Sequence, residues 1–190
     1  SFRMVSPIYG NEIGLSAAQI GSFLATVLIG GAVALFPAGW LADKYDRRYV
    51  LIGLSAASIV VCMGLVAVSD MGFGPVFVMA ALFGMTTFPI FSVSTAHAND
   101  FATPEQAIEL NASLMFLYAL GAIFSPLLAA NLIANFGPAA LFAFISGAHI
   151  ILVVFGLARM LVRPTNLDKT SYKYVPRTSY IVGRLLRRKR

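Results

Sequence analysis

Gly39-Trp40-Leu41-Ala42-Asp43-Lys44-Tyr45-Asp46-Arg47-Arg48 is the stretch on which the rest of this chain turns. Its last six residues carry five charges, and it lies between two apolar runs each long enough to cross a bilayer as a helix. Charge so concentrated between spans belongs in water at a membrane face. Lys44, Arg47 and Arg48 give that face a basic excess, and short cytoplasmic loops collect Lys and Arg, so the turn is expected inside the cell.

Composition agrees with a membrane protein. Of 190 residues, 58% are apolar and only 12% charged, with a mean hydropathy of +0.81. A soluble domain this apolar would aggregate. The net charge of +6 comes from 14 basic and 8 acidic side chains, and the basic ones crowd the stretch from Arg159 onward. The sign therefore reports topology, and no nucleic-acid partner is expected. The lone cysteine, Cys62, falls inside an apolar run, which excludes an intramolecular disulfide and predicts a small buried side chain.

Working outward from the turn, the apolar pattern predicts five complete spans over about 17–42, 49–68, 75–96, 104–135 and 139–162, followed by a basic tail over about 164–190. Ser16-Ala17-Ala18-Gln19 is a capping box that starts the first span. Thr103-Pro104-Glu105-Gln106 is a second start signal, with Thr as cap and Pro at the first helical position. Ser22, Thr26, Gly30, Ala34 and Ala38 recur every fourth residue, and Gly121, Ser125 and Ala129 do the same later; both rows predict ridges where another helix approaches closely. Residues 1–15 fit the outer end of a truncated spanning helix and a loop, so the chain is expected to be a fragment. Arg3 would then lie about 6 Å deeper than Pro7. A charge there either faces a wet cavity or snorkels to the interface.

The third span changes character at its inner half. Thr86, Thr87, Ser92, Ser94 and Thr95 make it more polar than a lipid-facing helix tolerates, and Pro89 removes a backbone donor. A discontinuous helix lining a transport path is expected there. It ends in His97-Ala98-Asn99-Asp100, where His97 and Asp100 share one helical side; they form an ion pair or proton relay, or simply anchor a polar helix end among headgroups.

The phrase Gly39-x-Leu41-x-Asp43-Lys44-x-Asp46-Arg47-Arg48, with Leu51 after it, resembles the G-x-L-x-D-(R/K)-x-(G/D)-R-(R/K) cytoplasmic loop of the major facilitator superfamily of secondary transporters. Asp46 stands where many members have Gly, a variant associated with the copy of this loop in the second half. Phe83 to Asp100 is similar to the tenth helix of a bacterial branch of that superfamily. The absence of Arg in the third span and the basic tail also favour the second half over the first. The resemblance implies an all-α integral membrane bundle, one six-helix half with five complete helices and the end of a sixth. It implies as partners the lipid bilayer, a missing N-terminal six-helix half, a small-molecule substrate, and a proton or sodium ion as coupling species. By the family pattern, Arg3 and the polar third span line the cavity, Arg3 meeting an anionic group or coupling carboxylate. The signature residues act as an inner latch, with Asp43 near a helix start of the missing half and Arg47 and Arg48 holding acids.

Alternation puts the 43–48 turn, the turn after His97 and the tail in the cytosol of an inner or plasma membrane protein. The outside turns, Ser69 to Gly72 and Asn135 to Pro138, lack Lys and Arg. No nucleotide loop, nucleophile motif or metal-ligand cluster occurs, so neither an enzyme nor a cofactor is expected. The alternative from another class is a non-transporting scaffold acting through its tail.

Overall fold

Five long helices and one short one make up the computed structural model, which describes residues 2–69, 71–103 and 105–162; among these residues there is no strand. In chain order they are α1 (Phe2–Glu12), α2 (Ala17–Lys44), α3 (Arg47–Val68), α4 (Phe73–Asn99), α5 (Ala107–Phe136) and α6 (Ala139–Val162). The expected tail over 164–190 lies outside the described residues. At 1.5 Å per residue, α2 to α6 are roughly 33 to 45 Å long, against about 30 Å of hydrocarbon. All five are apolar enough to span a membrane.

Local signals set the helix ends. Ser16 Oγ accepts from the Gln19 amide at 3.3 Å, while Gln19 Oε1 accepts from the Ser16 amide at 2.8 Å, completing the expected box. Asp46 caps α3 by accepting from the Arg48 amide at 3.0 Å. Gly137 closes α5 with a φ of +80°, a conformation that a side chain would strain. The start of α5 differs from expectation: the helix proper begins at Ala107, not at Pro104. The Thr103 and Gln106 side chains still make the reciprocal bonds of a cap, at 3.4 and 3.3 Å, but they close a turn ahead of the helix.

Apolar helices gain little by hiding from lipid tails, so close backbone contact has to hold them together. α2 packs most extensively on α4, and α3 packs on α6 and α4. The α2–α4 crossing is built on glycine. A Cβ on Gly84 would overlap the Val27 carbonyl oxygen, one on Gly30 would overlap that of Ala81, and one on Gly31 would lie 2.6 Å from the Phe88 ring. The buried face of α2 is Phe23, Val27, Gly30, Gly31, Ala34, Ala38 and Ala42. The expected every-fourth row is thus right from Gly30 to Ala38 and wrong at its start. Ser22 is exposed, and the Ser22 and Thr26 hydroxyls donate to the carbonyls of Ala18 and Ser22 on their own helix, at 3.0 and 2.8 Å.

Away from the charged turn, an aromatic cluster fills the bundle. Tyr9 meets Phe142 edge-on at 4.8 Å, Phe83 meets Phe142 at 6.1 Å, and Phe23 meets Phe77 at 6.4 Å, joining α1, α2, α4 and α6. Cys62, on α3, is fully buried. By contrast, α5 buries only Ala129 and Ile133. The second small-residue row is packed only at its Ala129 end: Ser125 is half-buried, and Gly121 faces open space among the described residues.

Candidate functional site

The charged turn is a junction of three helix ends. Arg47, at the start of α3, donates from Nη1 to the Ala96 carbonyl at 2.6 Å and to Asp100 Oδ1 at 2.7 Å, both at the end of α4. Its Nη2 reaches back to Asp43 Oδ1 on α2 at 3.4 Å. One planar guanidinium therefore ties α2, α3 and α4, a task that suits Arg's fixed fork of donors. The Arg47 side chain is 22% exposed, whereas Asp43 and Asp100 are 59% and 47% exposed, so the acids keep faces open to water or to another segment.

Arg48 works locally. It grips the Asp46 carboxylate from Nε at 3.2 Å and from Nη2 at 3.0 Å, which fixes the turn that Asp46 also caps. Lys44 lays its ammonium over the rings of Trp40 and Tyr45, at 4.9 and 5.6 Å. Leu41 is exposed, and a Cβ on Gly39 would meet nothing within 4 Å among the described residues. Nothing described therefore requires a glycine at 39.

His97 and Asp100 join the same cluster. His97 Nδ1 lies 4.0 Å from Asp100 Oδ2, and its ring stands edge-on to Phe101 at 5.2 Å. Asp100 is the shared member, held by Arg47 on one side and approached by His97 on the other. Arg47 and Asp100, 53 positions apart in the sequence, thus belong to one constellation.

The polar third span is not broken. α4 is continuous through Pro89, which is buried, and the expected discontinuity is corrected accordingly. Hydroxyls near the proline bond their own helix: Thr86 Oγ1 donates to Leu82 at 3.1 Å and Thr87 Oγ1 to Phe83 at 2.6 Å. Those bonds let a membrane helix carry hydroxyls without unpaired donors. At about 100° per residue, Thr87 and Ser94 share a face, while Ser92 points about 150° away and Thr95 lies between. Ser92 is exposed, and Ser94 and Thr95 are half-buried. Arg3 lies on α1, and its side chain is outside the described residues.

One pair escaped the sequence. Asn99 Nδ2 donates to Asn111 Oδ1 at 3.1 Å and Asn111 Nδ2 to Asn99 Oδ1 at 3.0 Å, joining α4 to α5 beside the Arg47 junction. The available signal was two Asn residues in otherwise apolar helices, which had no visible partner. The bundle also has an apolar groove of about 600 Å³ between α3, α5 and α6, lined by Cys62, Val66, Phe136 and Ser146 among others. It carries no charge and lies away from the turn.

Comparison with known proteins agrees with the junction's spelling. The family model described as Major Facilitator Superfamily matches residues 1–190. The "Uncharacterized MFS-type transporter" of Yersinia pestis (strain Pestoides F) is 29% identical over 171 residues, covering 89% of this chain and 42% of that protein. The "Uncharacterized MFS-type transporter YcaD" of Shigella flexneri is 31% identical over 146 residues, covering 76% of this chain and 37% of that protein. The chain thus spans about two fifths of the length of these curated relatives. No solved structure matches it significantly. A charged hairpin with this spelling between two of five long apolar helices, and a family match over the whole chain, show that it belongs to the Major Facilitator Superfamily, a family of membrane transporters and not of enzymes.

Proposed function

We propose that this chain is one six-helix half of a secondary active transporter that moves a small solute by alternating access, paired with an N-terminal six-helix half. The observation that carries the proposal is the Arg47 junction, which clamps the ends of α2, α3 and α4 through exposed acids. Such a clamp is rigid while made and breaks in one step, which is what an inner gate requires. Asp43, more than half exposed, is the member we assign to a helix start of the other half, where a carboxylate is stabilised by the helix dipole. The α4 positions that share a face, Thr87 and Ser94, together with Arg3, contribute the solute path; Ser92, about 150° round the helix, does not. His97 and Asp100 respond to the charge state of the same gate.

The turn faces the cytosol of an inner or plasma membrane, by the excess of Lys44, Arg47 and Arg48. Cysteines placed at Tyr45 and Gly72 are expected to react with an impermeant maleimide from opposite sides of the membrane; reaction from one side would overturn the topology. The function is tested by solute uptake into proteoliposomes of the full-length parent, with a pH gradient, with a sodium gradient and with neither, which also separates proton coupling from sodium coupling. Asp43→Asn is expected to cut uptake several-fold at normal membrane insertion. Unchanged uptake would remove the gate from the mechanism.

A further inference from the structure

α5 is held at its two ends and little between. Its buried residues, Ala129 and Ile133, lie beyond Pro126, toward the end away from the charged turn. From Ala112 to Leu128 no residue is buried. One ring contact, Tyr118 against Phe91 at 5.1 Å, touches this stretch. At the charged end the helix is fastened by Asn111.

That fastening is chemically complete. The two amides exchange bonds at 3.1 and 3.0 Å, and each uses its second N–H on its own helix: Asn99 donates to Thr95 at 2.8 Å and Asn111 to Ala107 at 2.7 Å. Turning either amide over would set donor against donor and acceptor against acceptor, so the pair has one arrangement. Both side chains are half-buried, where water competes weakly for the bonds. Asn99 also precedes Asp100 directly. Successive residues at the end of α4 thus hold α5 on one side and the Arg47 junction on the other.

We propose that Asn99 and Asn111 are positioning residues which couple the charged-turn end of α5 to the Arg47 junction, so that α5 follows α2 to α4 when the inner gate opens and closes. The inference rests on the alternating-access proposal above and adds a fourth helix to the gate. Released from the pair, the stretch of α5 on the turn side of Pro126 swings while Ala129 and Ile133 stay seated.

The test uses the full-length parent in nanodiscs, with spin labels on cysteines at Tyr49 on α3 and Ile108 on α5. Both positions are exposed near the charged turn. The distance distribution between them is read by pulsed dipolar spectroscopy. Asn99→Ala and Asn111→Ala are each expected to at least double the share of molecules outside the main peak. The double variant should match the singles, and Asn111→Gln, which keeps an amide on a longer arm, should restore the peak in part. A purely structural role would lower the melting temperature and leave the distribution of folded molecules unchanged. Asn111→Ser serves if an alanine variant fails to insert. A narrow peak in these variants, with Arg47→Ala broadened, overturns the coupling and leaves the gate standing. Broadening in the Asn variants with Arg47→Ala narrow would mean that the pair holds α5 independently of the junction, which overturns the coupling and leaves the gate to the uptake measurement.

Discussion

Gly84→Leu is expected to leave almost no folded protein in the membrane, and Gly84→Ala to lower the apparent melting temperature in detergent by up to about 8 °C. The reason is the absence of room. The position where a Cβ would go is taken by the Val27 carbonyl of α2, and backbone cannot rotate aside as a side chain does. Gly30 faces Ala81 in the same way, so the crossing is tight from both sides. Added methylenes in a packed interior cost about 1 to 3 kcal/mol, and each kcal/mol shifts melting by about 2 to 4 °C in a chain of this size. Alanine's better helix propensity returns about 1 kcal/mol at most. Overpacking wins because α2 and α4 form the most extensive contact in the bundle, and a gap of 0.5 to 1 Å already forfeits a quarter to a half of the dispersion energy of the atoms that part. Gly53→Ala is the control: its Cβ meets nothing within 4 Å. Melting curves of the three variants decide the matter. A Gly84→Ala protein as stable as the Gly53→Ala protein would mean that the two helices do not touch at this point.

Arg47→Ala should reduce solute uptake about tenfold with membrane insertion preserved, and Arg47→Lys should recover part of the loss. The alanine variant removes all three bonds of the junction at once and leaves the Ala96 carbonyl and Asp100 without that donor. Charge-assisted bonds are worth about 1.5 to 3 kcal/mol each when sheltered. Asp43 and Asp100 are half exposed, which discounts the two ionic members heavily. A net loss near 1.4 kcal/mol, about one decade in rate or equilibrium, is the conservative figure. Lysine presents a point charge that reaches one of the three acceptors well, not all of them. Initial uptake rates at matched protein levels measure the effect. Wild-type rates for Arg47→Ala would show that the three helix ends need no common clamp.

The sequence made the bundle legible because spanning helices announce themselves by length and apolarity, and because Ser16, Gln19 and Asp46 mark helix starts chemically. It also made the charged turn legible, since few other arrangements put Asp43 to Arg48 between two spans. What it hid were faces and partners. In lipid both sides of a helix are apolar, so hydrophobic period says little about which side packs. The row from Ser22 to Ala38 shows this: its outer end faces away from α4, while Phe23 and Val27, large residues outside the row, are buried. Arg47 and Asp100 were both visible as charges, yet nothing local says that residues 53 apart meet. Asn99 and Asn111 were visible only as polar residues in apolar helices. The α4 hydroxyls looked like a break and proved to be part of an intact helix, because Thr86 and Thr87 bond one turn back.

The chain's single thiol, Cys62, is fully buried on α3, at the wall of the apolar groove that the membrane interior fills and water does not. Polar thiol reagents added to the aqueous phase therefore find no ready native target in this chain. Maleimide and spin-label experiments on this half can start from the natural sequence, one new sulfur at a time, against a silent background.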